Sequence, residues 1–244
     1  MRKIQGFVKS IVQNTLVFIG KRYNYFLIKG NLNPLNRTLR LESFMYGPWS
    51  VSMDYVRNST LELLSKEIYE HGTKGAVAEV GVYQGEFSSL INLNFPDRKL
   101  YLFDTFEGFD ERDSKSDRES NYSDMQHKFS ETSISLVKSK MKFPENISIH
   151  KGWFPESAKG NEGEIFSFVS LDTDLYDPIY AGLVWFYPRL SEGGYIMIHD
   201  YNNETYRGSK EAVRTFAKEF GVTYCVLPDV GGSAVIGKPL KAKE

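Results

Sequence analysis

Two patterns of apolar and polar positions alternate along this chain. Short apolar runs at 76–78, 100–103, 147–150, 166–171 and 193–199 each stop at glycine or polar residues. Such runs suit strands buried on both faces that end at the rim of a sheet. Between them, apolar residues at helical spacing predict helices over 53–71, 87–93, 130–141, 179–187 and 208–220. Gly72 and Gly221 follow two of these as stop signals, Pro178 opens the fourth, and Ser209 reads as the N-cap of the last. Two further β-type runs, 222–227 and 233–236, flank Pro228-Asp-Val-Gly-Gly232 and predict a closing antiparallel hairpin. Strands alternating with helices predict an α/β fold with a doubly wound, mostly parallel sheet.

The chain is organised around the first strand's end, Glu79-Val-Gly-Val-Tyr-Gln-Gly85. A buried strand that breaks into glycines and restarts as a helix lets backbone approach a nucleotide-type ligand at a helix N-terminus. Its spacing differs from Gly-x-Gly-x-x-Gly and puts a carboxylate where a dinucleotide fold has a glycine. That suits a cationic or amino-bearing cofactor better than a pyrophosphate, and speaks against a nicotinamide dehydrogenase. The second strand ends at Asp104, 25 residues after Glu79, near the spacing at which an acidic residue meets a ribose. After the third strand come Gly152, Trp153 and Phe154. The two aromatics either stack on a base and wall the pocket, or belong to the core.

The fourth and fifth strands end in Asp172-Thr-Asp174 and His199-Asp200-Tyr-Asn202. Two adjacent carboxylate-bearing tips suggest a hard-cation site of oxygen ligands, Mg²⁺ or similar. Between the second and third strands, the polar stretch 107–135 is long enough to read as a substrate lid or as a solvated insertion, with His127 a surface residue.

Composition narrows the class. The 244 residues are 41% hydrophobic and 25% charged, with a net charge of -1, ordinary for one globular domain and too acidic for a general nucleic-acid binder. A single cysteine, Cys225, excludes an internal disulfide and a cysteine-rich zinc site and fits a reducing, cytoplasmic compartment. No run approaches the length of a membrane span. Residues 1–41 nevertheless carry eight basic residues and no acidic one, interleaved with apolar positions. Such an arm, taken as 1–50 ahead of a domain at 51–244, could lie on an anionic membrane surface at its cytoplasmic face, grip an anionic substrate, or pack on a second copy in a homo-oligomer.

In order and spacing, Ala78-Glu-Val-Gly-Val-Tyr-Gln-Gly85, Phe103-Asp-Thr-Phe-Glu-Gly-Phe109, Lys151-Gly-Trp-Phe154, Leu171-Asp-Thr-Asp-Leu-Tyr176, Tyr187-Pro-Arg-Leu-Ser-Glu-Gly-Gly-Tyr195 and His199-Asp-Tyr201 resemble the macrocin O-methyltransferase-like family. These are class I S-adenosylmethionine-dependent sugar O-methyltransferases. The resemblance implies a seven-stranded sheet and a cofactor held by Glu79, Gly81, Val82, Tyr83 and Gly85, by Asp104, Thr105 and Phe106, and by Gly152, Trp153, Phe154 and Asp172. It implies a divalent metal, Mg²⁺ or alternatively Mn²⁺, on Asp172, His199 and Asp200, with Asp172 or His199 as the catalytic base. His199 stands where the family pattern has a carboxylate, which weakens the case for Mg²⁺. Leu175 stands where catechol-type relatives carry a lysine. The implied acceptor is a sugar hydroxyl of a glycan precursor or glycosylated metabolite; a non-catalytic cofactor-binding scaffold is the alternative.

Overall fold

The computed structural model describes residues 54–123 and 128–240. The basic arm, the start of the first predicted helix and His127 lie outside them. The described elements are α1 (Tyr55–Glu70), β1 (Ala76–Val80), α2 (Glu86–Asn94), β2 (Leu100–Asp104), α3 (Glu111–Glu119), α4 (Ile134–Lys140), β3 (Ile147–Lys151), β4 (Phe166–Leu171), α5 (Tyr176–Phe186), β5 (Leu190–Ile198), α6 (Gly208–Phe220), β6 (Cys225–Leu227) and β7 (Ser233–Gly237). They form one seven-stranded sheet in the order β3-β2-β1-β4-β5-β7-β6. Pairing is parallel from β3 to β5 and antiparallel for β7 against both β5 and β6. The doubly wound sheet and its closing hairpin are those the apolar pattern predicts.

Strand alternation divides the core in two. Ala78, Val80, Tyr101, Phe103, Val169, Leu171, Ile196 and Ile198 face α5 and α6, packing on Ile179, Leu183, Phe186, Val213 and Phe216. Val77, Leu100, Leu102, Phe168 and Met197 face the other side, against Leu61 and Ile68 of α1, Ile91 of α2 and Val137 of α4. Glu79 shares the parity of Val77 and so points under α1 and α2, where only 1% of it is exposed. The topology reverses between β1 and β4, and the parallel strands deliver their C-terminal ends to one rim at that point, where open α/β sheets bind ligands.

Three helix starts differ from the sequence reading, each through its own local hydrogen bonding. Ser209 is not an N-cap: α6 begins one residue earlier without a side-chain cap, and the buried Ser209 hydroxyl donates to the Asp174 carbonyl instead. Helix α5 begins two residues before Pro178, its Tyr176 N–H donating to Asp117 of α3 at 2.9 Å. Helix α4 starts at Ile134, where Ser133 accepts from the Leu136 N–H. The polar stretch at 107–135 holds a helix, α3, capped by Asp110 and burying Asp113 and Asp117 against the fold.

Candidate active site

A cavity of about 360 Å³ opens at the rim and is lined by the loops after β1, β2, β3, β4 and β5, with α1 and α3 at its sides. Backbone strain gathers there. Tyr83, Phe129, Asp174 and Asp200, all lining it, have φ of 47°, 50°, 61° and 57°, the left-handed region that non-glycine residues seldom occupy away from functional sites. Phe106, at φ 53°, lies in the core beside the cavity and does not line it. Gly81, at φ 84°, brings β1 so close to the β4 tip that a Cβ would lie 1.9 Å from the Asp172 carbonyl oxygen. Only glycine fits.

At the β1 end, the Ser88 hydroxyl of α2 donates to Glu79, and burial pushes the Glu79 carboxyl up to about 8 against that hydrogen bond. Asp104 at the β2 tip spends its carboxylate on main chain: Oδ2 accepts from the Val82 and Tyr83 N–H groups at 2.7 and 2.9 Å, and Oδ1 from Phe106 N–H at 2.6 Å. It therefore shapes the glycine turn as well as lining the cavity. Gly152 and Trp153 reach the cavity from the β3 tip. Phe154, although it lines the cavity, is 5% exposed and stacks on Phe186 within the core, so of the two aromatics it is the core one.

The β4 and β5 tips bring Asp172, His199 and Asp200 together. His199 Nδ1 lies 2.8 Å from Asp200 Oδ2 and 3.2 Å from Asp172 Oδ1, while Nε2 donates to the Val230 carbonyl at 2.9 Å. Burial opposes the histidine's charge, but Asp172 and Asp200 outweigh it and raise the imidazole to about 10. Burial likewise acts to raise Asp172, yet Arg57 and His199 hold it well below the usual carboxylate range. Asp174, behind them, is pushed well above that range by burial and by Asp200 and Asp172. Asp200 is packed against the β6–β7 turn so tightly that a Cβ on Gly231 would lie 2.4 Å from its Oδ1.

Each member of this triad offers one ligand atom, and all three atoms lie within 4.8 Å of one another. A carbonyl that fixes Nε2–H and leaves Nδ1 facing carboxylates is the outer support a metal-bound histidine ordinarily has. The donor set fits a divalent cation, and its imidazole favours first-row transition ions such as Mn²⁺ over Mg²⁺.

Sequence reasoning missed Arg57. From α1 it donates to Asp172 Oδ2 at 2.7 Å and stacks over Phe87 at 3.9 Å. Its signal was its place in the buried stripe Arg57, Leu61, Leu64, Ile68, a cation where the pattern calls for an apolar residue. Also missed was Asp113, which lines the cavity beside Trp153. Phe109, Phe129, Tyr83 and Tyr206 form an aromatic wall on the cavity, with ring centroids 5.2 Å apart for Phe109–Phe129 and 5.4 Å for Tyr83–Phe129.

The family model and the curated relatives that match this chain are O-methyltransferases. The sequence profile described as Macrocin-O-methyltransferase (TylF) matches residues 48–234. An 8-demethyl-8-(2,3-dimethoxy-alpha-L-rhamnosyl)-tetracenomycin-C 4'-O-methyltransferase of Streptomyces olivaceus is 23% identical over 68% of this chain and 67% of its own. A mycinamicin III 3''-O-methyltransferase of Micromonospora griseorubida is 26% identical over 68% and 70%. Among solved structures, the calicheamicin methyltransferase CalS11 superposes with a TM-score of 0.62 at 18% identity, covering 86% of this chain and 87% of that one. The O-methyltransferase NovP does so with a TM-score of 0.59 at 18% identity, covering 75% and 80%. The glycine turn after Glu79, the carboxylate at the second strand tip and the acidic fourth and fifth tips all fall within the matched span, and the chain belongs to the macrocin-O-methyltransferase (TylF) family of O-methyltransferases.

Proposed function

We propose that this enzyme methylates a sugar hydroxyl of a glycosylated metabolite or glycan precursor, using S-adenosylmethionine and the assistance of a divalent cation. The observation that carries the reading is one continuous cavity joining Glu79, Asp104 and the Asp172, His199, Asp200 triad within a chain of this family. S-adenosylmethionine supplies a methyl group already activated on a sulfonium, and a divalent ion held by the triad supplies Lewis-acid polarisation of the acceptor hydroxyl. Glu79 is assigned the cofactor's ammonium, since a buried carboxyl gains most from a cationic partner. Asp104 is assigned the ribose, through the lone-pair capacity that its three main-chain bonds leave. The aromatic wall of Phe109, Phe129, Tyr83 and Tyr206 suits the apolar C–H faces of a sugar ring. As the O–CH₃ bond forms and the S–CH₃ bond breaks, the acceptor oxygen becomes oxonium-like and strongly acidic. Asp172, although Arg57 and His199 keep it a weak base, therefore takes the proton. Both substrates must be held in line for the displacement.

A second reading of the charge has its own support. With Arg57 and a protonated His199 both on Asp172, two side-chain cations already stand at the carboxylates an ion would use. In that version His199, once deprotonated, is the base and no ion is needed. Transfer of labelled methyl from S-adenosylmethionine to a panel of glycosides, with EDTA and with Mg²⁺ or Mn²⁺ restored, tests both. Loss of transfer in EDTA and recovery with Mn²⁺ supports the cation; unchanged transfer in EDTA supports the histidine; no transfer to any glycoside, with a bound cofactor, turns the reading towards a non-catalytic scaffold.

A further inference from the structure

We propose that Asp54 is a positioning residue that sets two outer supports of the triad at once: the Val230 main chain that accepts from His199, and the first turn of α1 that carries Arg57. This rests on the reading above that the triad receives the acceptor hydroxyl, and it holds whether or not an ion takes part. Neither Asp54 nor Val230 lines the cavity. His199 donates from Nε2 to the Val230 carbonyl at 2.9 Å, which leaves Nδ1 to Asp172 and Asp200. A carbonyl can aim an imidazole only if it is itself fixed. Val230 lies in the turn between β6 and β7, is 73% exposed, and is followed by Gly231 and Gly232 at φ 77° and 72°. The far side of the turn is pinned, since the Tyr201 N–H donates to the Gly232 carbonyl at 2.8 Å and the Asn202 N–H to that of Gly231 at 2.9 Å. At Val230 itself the N–H donates to Asp54 Oδ2, across 176 residues of sequence.

The other oxygen, Asp54 Oδ1, caps α1 by accepting from the Val56 and Arg57 N–H groups at 3.0 and 3.1 Å. That fixes the backbone of Arg57, whose guanidinium reaches Asp172 Oδ2 at 2.7 Å. One carboxylate thus ties a helix start and a hairpin turn to two members of the triad. Capping asks for one oxygen only, and serine or asparagine caps about as well as aspartate. The second acceptor oxygen is what holding Val230 adds. A cation on this side of His199 is the competing use, because Asp54, His199 and Asp229 offer ligand atoms within 4.8 Å of one another. Those atoms are already spent: Asp54 on three main-chain N–H groups, Asp229 on the N–H and hydroxyl of Ser233, and His199 Nε2 on the proton it gives Val230.

Asp54→Asn in the full chain separates the two tasks. The amide oxygen keeps the cap and leaves an N–H facing that of Val230, so the melting temperature should stay within about 4 °C of wild type while the turn is released. In spectra of ¹⁵N-histidine-labelled protein, the His199 Nε2–H resonance, assigned by its loss in His199→Asn, should be present in wild type and lost to exchange in Asp54→Asn. In labelled-methyl transfer, kcat should fall by about tenfold or more, as when a residue that orients a reacting histidine is removed, with KM for S-adenosylmethionine changed by less than about twofold. Asp54→Ser, which caps and has no second oxygen, should behave alike and carries the test if the asparagine variant does not fold. The proposal needs both changes: an intact Nε2–H resonance in either folded variant, or an unchanged kcat, overturns it. Unfolding of both variants overturns it too, since Asp54 would then be holding up the fold. If wild type transfers no methyl group, the functional reading falls, and the resonance alone decides whether Asp54 holds His199.

Discussion

Replacing Glu79 by Gln separates what this residue does for the cofactor from what it does to the fold. The Glu79 carboxyl is 1% exposed and titrates near 8 instead of 4.5, chiefly because burial disfavours its charge. Between those values the folded chain holds a proton that the unfolded chain has released, so stability falls as pH rises from about 4.5 to about 8. At pH 7 the group sits about 2.5 pH units above its unfolded value, which at about 1.4 kcal/mol per unit is about 3 kcal/mol. At pH 5.5 the same reasoning gives about 1 kcal/mol. Glutamine keeps the shape, can accept from the Ser88 hydroxyl and never ionises. Glu79→Gln should therefore melt higher than wild type without ligand, by about 6–12 °C at pH 7 and less at pH 5.5. The same variant should bind S-adenosylmethionine about tenfold or more weakly, having lost a charged partner for the ammonium. Thermal unfolding at several pH values and calorimetric titration read the two effects. Parallel melting curves for the two proteins across pH 5.5–8, or a variant less stable throughout, would refute the reasoning about burial.

Three further perturbations follow from the rim. Arg57→Ala takes a buried partner from Asp172 and should lower stability by about 3 kcal/mol in a denaturant titration; a change under about 1 kcal/mol would mean the pair is solvent-relaxed. Gly81→Ala forces a Cβ onto the Asp172 carbonyl at a φ alanine rarely adopts, so it should destabilise by about 3 kcal/mol or more and remove cofactor binding, both visible in a melting curve with and without ligand. His199→Asp replaces the imidazole by a third carboxylate and should shift the site towards Mg²⁺ by about tenfold relative to Mn²⁺, measured by competition of Mg²⁺ against the Mn²⁺ resonance signal; an unchanged ratio would show that His199 is not a ligand.

The centre of the sheet was legible because its strands β1, β2 and β4 are buried on both faces. Phe166–Leu171 has no exposed residue, and a run of that kind has few other structures open to it. The rim residues were legible for the same reason: Glu79, Asp104, Asp172 and Asp200 each interrupt or end such a run, and a polar group there has to be facing something. Arg57 and Asp113 were not. Both lie on helices, and their partners, Asp172 at 115 residues' separation and Trp153 at 40, are set by tertiary packing. Helix α3 was hidden altogether because its buried face is made of Asp113, Ser114 and Asp117, polar residues of which the two carboxylates accept from the distant Trp153 and Tyr176, where periodicity looks for apolar ones. The cap of α5 was hidden likewise, since Asp117 supplies it from another helix. The charge state of the triad also lay beyond the sequence, since it depends on Arg57 and His199 meeting at one carboxylate.

The central claim is that one rim cavity holds S-adenosylmethionine across β1 to β3 and works on an acceptor at the Asp172, His199, Asp200 triad. Calorimetric titration of wild type and Asp172→Ala with S-adenosylmethionine and S-adenosylhomocysteine, with and without EDTA, measures it most directly. Micromolar binding of both ligands to both proteins, with labelled-methyl transfer lost only in the variant, is the predicted result. No cofactor binding to wild type under any of these conditions would contradict the account.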